Sequence, residues 1–71
     1  MAFYVTMCNE RQIGRIAGPF STKEAAEAMV KPAWALANKI NPFTHFCSFG
    51  VGRYEDDTFY GPLNKALGME I

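Results

Sequence analysis

The sequence has no surplus of charge of either sign: seven Lys and Arg are balanced by seven Asp and Glu. Nucleic-acid binders usually carry a basic excess, because neutralising phosphate supplies most of their non-specific affinity. Direct nucleic-acid binding is therefore not expected. Cysteine is scarce, and the two present, Cys8 and Cys47, are too few for a disulfide scaffold. No apolar run approaches the roughly 20 residues that span a bilayer, so no membrane segment is expected. No leader-like stretch separates Met1 from the first strand-like run, from which we expect a cytoplasmic protein. Phosphate loop, dinucleotide fingerprint and nucleophile elbow are all missing. A chain of 71 residues offers one domain, spanning residues 1–71, and little room for a pocket holding both substrate and catalytic groups. An enzyme is not expected, nor a cofactor.

What the chain does have is apolar and aromatic side chains. Hydrophobic residues make up 49% and include six Phe, three Tyr and one Trp, which excludes a disordered chain. A domain this small still gains only about 3–5 kcal/mol from its core. Without disulfides or a metal, oligomerisation is the expected additional support, and a homo-oligomer is anticipated.

The order of elements reads as α+β. Residues 2–8 are aromatic and β-branched, with Phe3, Val5 and Met7 on one face and Tyr4, Thr6 and Cys8 on the other. Asn9, Glu10, Arg11 and Gln12 suit a turn, and residues 12–17 form a weaker second strand, giving a hairpin. Ser21 and Glu24 then have the spacing of a capping box, and the helical pattern continues to Ile40 before Asn41-Pro42 stops it. Pro32 lies inside this helix and should kink or split it. Residues 43–54 alternate again: Phe43, His45, Cys47, Phe49 and Val51 against Thr44, Phe46, Ser48, Gly50, Gly52 and Tyr54. Gly61-Pro62 opens a short C-terminal helix with Leu63, Ala66 and Leu67 turned inward and Gly68 closing it. The expected fold is a small antiparallel ββαβ sheet, with one long Pro-kinked helix on one face and a short C-terminal helix.

Two surfaces emerge as candidate binding sites. On a helical wheel Ala26, Met29, Ala33, Leu36 and Ile40 form the buried stripe, while Trp34 lies away from it beside Glu27, Lys31 and Asn38. An exposed tryptophan is a typical interface hot spot. A helix kinked at Pro32 would instead let Trp34 pack on the sheet edge or the C-terminal segment. The second surface is the sheet face away from the helix, where Tyr4, Thr6, Phe46, Ser48 and Tyr54 would form a flat platform. It could pair with a second copy or stack a planar ligand, with Arg15 or Arg53 neutralising a phosphate.

Metal and catalytic chemistry find little support. Cys8, His45 and Cys47 fall short of the four ligands a structural zinc site requires, and Cys8 is assigned to the opposite face from the other two. His45 is expected to face the core. The stretch Glu55-Asp56-Asp57 reads as a solvated loop.

Two resemblances follow from these residues. Residues 18–28, Gly-Pro-Phe-Ser-Thr-Lys-Glu-Ala-Ala-Glu-Ala, resemble the strand-to-helix junction of SPOR domains, which bind denuded peptidoglycan glycan strands. After about a sixth of the chain the likeness stops, since SPOR domains add a second hairpin and a full second helix. The same residues 18–28 also belong to a pattern across most of the chain. Asn41-Pro42 is followed by His45-Phe46, then by Phe49-Gly50 and Arg53, then by Pro62-Leu63-Asn64 and Leu67-Gly68. That pattern is similar to small uncharacterised accessory proteins of tailed phages and prophages. The resemblance implies a non-enzymatic protein acting in the host cell cytoplasm. Such a protein binds and inhibits a host or defence-system component, as anti-CRISPR proteins do. The alternative it leaves open is an oligomer that sequesters a small nucleotide-like ligand between subunits. In either reading the binding residues are expected among Trp34, Lys31, Tyr4, Phe46, Tyr54, Arg53 and Arg15.

Overall fold

The structure is a computed structural model and describes residues 1–10 and 12–69. Three strands, β1 (Ala2–Cys8), β2 (Ile13–Phe20) and β3 (Ser48–Tyr54), make an antiparallel sheet in the order β2-β1-β3. One helix, α1 (Lys23–Ile40), crosses between β2 and β3, and a 3-10 helix, Pro42–Phe46, follows it. The β1–β2 turn is closed by the Asn9 amide on the Gln12 carbonyl (2.9 Å) and the Gln12 amide on Asn9 Oδ1 (2.9 Å). Arg11, assigned to this turn from the sequence, lies outside the described residues.

The strand β2 is longer than its pattern suggested, reaching Phe20, because its pairing with β1 shifts register twice between Phe3 and Thr6. Such shifts are β-bulges, which bend a strand and re-aim its side chains. Gly18 sits there with φ +129, where a Cβ would lie 2.6 Å from the Tyr4 ring. Only glycine fits. The Gly18–Pro19 peptide is cis.

Thr22, not Ser21, caps α1: its backbone is extended and its Oγ1 accepts from the Ala25 amide at 3.1 Å. The residue that would close the capping box on Thr22 is therefore Ala25, which has no carboxylate, so the reciprocal half is missing. Glu24 instead lies in the first turn, where a negative charge favours the helix dipole. The helix runs unbroken through Pro32, whose side chain is on the exposed side. Ala26, Ala33 and Ala37 are its buried residues, with Met29 and Val30 packed on the core. Ile40, expected in the stripe, is 65% exposed. At 1.5 Å per residue this 18-residue helix is about 27 Å long.

The expected strand over residues 43–47 is instead the 3-10 helix. Asn41 Oδ1 accepts from the Phe43 amide (3.1 Å), Pro42 occupies the first turn, and the Cys47 amide donates to the Thr44 carbonyl (2.9 Å). An Asx cap followed by proline is turn chemistry, and it overrides the alternation of apolar and polar residues. From Phe49 onward the face assignment agrees with the sequence: Met7 pairs with Phe49 and Val5 with Val51, while Tyr4 faces Gly52. The core gathers Val5, Ile16, Ala17 and Ala33, flanked by Met7, Phe20, Met29 and Phe49 and by Leu63 and Leu67 of the C-terminal segment.

The second face of the sheet is also covered. Residues 55–69 fold back across it from β3 to β2 and dock on the bulge. The Gly61 amide donates to the Gly18 carbonyl (3.0 Å) and the Leu63 amide to the Ile16 carbonyl (3.0 Å). Asn64, 1% exposed, clasps Gly18: its Oδ1 accepts from the Gly18 amide at 2.8 Å and its Nδ2 donates to the Gly18 carbonyl. Gly61 approaches so closely that a Cβ would lie 2.4 Å from Ala17 Cα. The expected short C-terminal helix is a run of turns over residues 62–68. It closes with Gly68 donating to Lys65 and Met69 to Asn64, the paired bonds of a Schellman ending. Leu63 and Leu67 pack on the core, but Ala66 is exposed.

Candidate functional site

The sequence-predicted binding residues separate into two aromatic groups. The first is closed. Tyr4 and Thr6, expected on an open platform, are 0% and 5% exposed, and Asp56 and Phe59 lie against Tyr4. The Tyr4 hydroxyl donates to the Phe59 carbonyl (2.8 Å), and its ring meets Tyr54 edge-on at 5.5 Å and Phe59 at 6.3 Å. Arg15 reaches across from β2 into the space between these rings. Its guanidinium carbon lies 4.9 Å from the Tyr4 centroid, 4.6 Å from Tyr54 and 4.5 Å from Phe59. Asp56 completes the enclosure with its Oδ2 3.7 Å from Arg15 Nη1, and its backbone carbonyl accepts from the same nitrogen at 3.4 Å.

The electrostatics are those of a filled cation cage. Burial pushes the Tyr4 hydroxyl above its ordinary pKa, opposed by the positive charge of Arg15. Asp56 is held below the usual carboxylate range, first by hydrogen bonds from Thr58, whose hydroxyl and amide donate at 2.6 and 2.9 Å, and then by Arg15. Tyr4, Tyr54 and Arg15 are thus brought together, but as ligands of one another. Phe59 and Asp56, which complete the cage, were missed by sequence reasoning. The signal was Phe59, two residues behind the acidic stretch, an apolar side chain next to a segment read as solvated loop.

The second group is open. The Trp34 ring lies 6.1 Å from His45, and His45 meets Phe46 edge-on at 5.7 Å. His45 is exposed beside these rings instead of facing the core. Trp34 is 39% exposed, Phe46 84% and Phe43 78%, and Ile40, the last helical residue, is exposed too. Trp34 therefore packs on the 3-10 helix with one side and meets solvent with the other. Phe46, expected beside Tyr4 on the sheet, belongs to this group because the chain turns before β3 begins. Phe43 was not selected from the sequence, since the strand reading pointed it to the core. Beside Phe43 and Phe46 a groove of about 600 Å³ runs between the 3-10 helix and the β1–β2 turn, lined also by Met7, Gln12, Asn41 and Cys47.

The remaining two residues lie apart from both groups or at their margin. Lys31 is exposed one turn before Trp34. Arg53 is exposed on β3, where it borders a shallow recess of about 380 Å³ with Phe3, Lys23 and Val51. Among the described residues no cluster of three His, Cys, Asp or Glu could hold a metal ion, and no helix is long and apolar enough to cross a membrane. Comparison with protein-family models, with curated proteins and with solved structures finds no match.

Proposed function

We propose that the protein is a non-enzymatic binding protein that engages a protein partner through Trp34, Phe43, His45 and Phe46. The observation that carries this reading is the exposure of Phe43 and Phe46, at 78% and 84%, beside a half-exposed tryptophan. Leaving aromatic area of roughly 150–250 Å² per residue in water is unfavourable, and contiguous patches of this kind mark interaction sites. The partner surface should be an apolar pocket able to take rings. On the resemblance to phage accessory proteins, the partner is a host or defence-system component in the host cytoplasm, and binding inhibits it. A bend at Pro32, where the Ala28 carbonyl loses its helical donor, would set the angle at which Trp34 is presented.

The test is affinity capture from a host lysate with the wild-type chain and with Trp34→Ala and Phe46→Ala. Partner capture should be lost in both variants while their circular dichroism stays unchanged. Capture undiminished in both would contradict the proposal.

A second reading keeps a nucleotide-like ligand, and Arg53 with Lys23 and Phe3 around one recess favours it. Arg15 no longer serves there, being occupied by Asp56 and three rings. A ligand at a hundredfold excess over its dissociation constant should raise stability by about 2.7 kcal/mol. No thermal shift across a nucleotide panel would remove this reading.

A further inference from the structure

The two edges of the sheet are treated differently. The outer edge of β2 is bent by bulges and is occupied at the Ile16 and Gly18 carbonyls by the amides of Leu63 and Gly61. Among the described residues the edge of β3 has neither protection. Its seven residues pair with β1 in one continuous register from Tyr54 to Ser48, with no bulge, and it contains neither proline nor lysine. An unbulged edge of this length presents a row of backbone donors and acceptors that templates another strand.

We propose that a second copy of this chain pairs on that edge, β3 against β3 in antiparallel fashion, with the two-fold axis at Val51. The sequence of β3, Ser-Phe-Gly-Val-Gly-Arg-Tyr, is self-complementary in this register. Val51 meets Val51 of the second copy, Gly50 meets Gly52, Phe49 meets Arg53 and Ser48 meets Tyr54. On the helix side the cation of Arg53 is thereby set beside the ring of Phe49, a favourable cross-strand pair. On the other side both central positions are glycine, so no side chain obstructs the approach. The two Arg53 side chains are four residues apart along the pairing, on the order of 13 Å, beyond the screening length of about 10 Å in 0.1 M salt. A net charge of zero adds no repulsion between copies. The product is one six-stranded sheet with both helices on the same face. It supplies the association by which so small a core is commonly reinforced. Seven-residue pairing is a modest contact, so a dissociation constant in the micromolar range is expected.

The proposal stands apart from the Trp34–Phe46 surface, and its test uses different residues. Sedimentation of the wild-type chain across micromolar concentrations should show a monomer–dimer equilibrium. Gly50→Glu is the informative variant, because nothing lies within 4 Å of a Cβ built at Gly50, so the monomer accommodates it. In the dimer it sets two carboxylates about two residues apart, roughly 7 Å, across the pairing. It should weaken association at least tenfold while leaving the dilute circular dichroism unchanged. Independently, Val51→Cys in a Cys8→Ser, Cys47→Ser background should form an intermolecular disulfide under mild oxidation, whereas Phe49→Cys in the same background should not. A wild-type chain that stays monomeric, a dimer that Gly50→Glu does not weaken, or a dimer that fails to crosslink at position 51 overturns the proposal.

Discussion

The two aromatic groups share residue types and differ in what surrounds them. Tyr4, Tyr54 and Phe59 enclose a cation supplied by the same chain, and the Tyr4 hydroxyl finds an acceptor within that chain. Trp34 meets His45 and His45 meets Phe46 at the 3-10 helix, where Phe43 and Phe46 stand mostly in solvent. The closed group acts in folding, since it fastens residues 55–69 to the sheet. In the open group Phe43 and Phe46 are mostly exposed, and that is why we propose binding there. Aromatic content alone does not distinguish such roles; the number of contacts already satisfied within the chain does.

Substitutions break this comparison in a definite order. The largest effect should come from Tyr4→Ala, which empties a fully buried site and costs about 3–5 kcal/mol, as for other aromatic truncations in cores. That equals the whole core contribution expected at this size, so the variant should be unfolded by circular dichroism at room temperature. Asn64→Ala comes next. It leaves the buried Gly18 amide and carbonyl without their side-chain partner, at about 1–3 kcal/mol, read as a lower urea midpoint. Arg15→Gln should cost about 1–2 kcal/mol by losing the cation from three rings, with a similar loss in high salt because the site is only partly exposed.

The pH dependence of the closed group should be smaller and two-sided. Tyr4 has a raised pKa in the folded chain, so the unfolded chain releases this proton first. Its contribution is complete below the ordinary value of 10.0 and falls as pH rises toward the raised value. Asp56 runs the other way. Its contribution is present above 3.8 and is lost as pH falls through the lowered folded value. Denaturation midpoints followed from acid to alkali should show both limbs, and Tyr4→Phe should flatten the alkaline one. The smallest effect on stability should come from Phe46→Ala, within about 0.5 kcal/mol, as for ordinary surface positions. The same change should cost at least about 2 kcal/mol in partner affinity if Phe46 is a hot spot.

Local patterns made much of the framework legible. The hairpin, the helix ending at Ile40, the alternation from Phe49 to Tyr54 and the closure at Gly68 all depend on neighbours in sequence. The second face was not legible for the opposite reason. Arg15, Tyr4, Tyr54 and Phe59 come from four separate places in the chain, and only the docking of Gly61, Leu63 and Asn64 on the Gly18 bulge brings them together. Residues 43–47 failed differently, because two local signals competed there. Alternation argued for a strand, while Asn41-Pro42 argued for a capped turn, and the hydrogen bonds of the turn prevailed. That single change removed Phe46 from the platform and delivered it to Trp34.

The most direct test sets Phe46→Ala beside Arg15→Gln in one paired measurement of thermal stability and partner capture. The account predicts that Phe46→Ala loses the partner at an unchanged melting temperature, and that Arg15→Gln melts lower but still captures it. A partner retained by Phe46→Ala and lost by a folded Arg15→Gln would contradict the account, and would place the binding surface at the closed group.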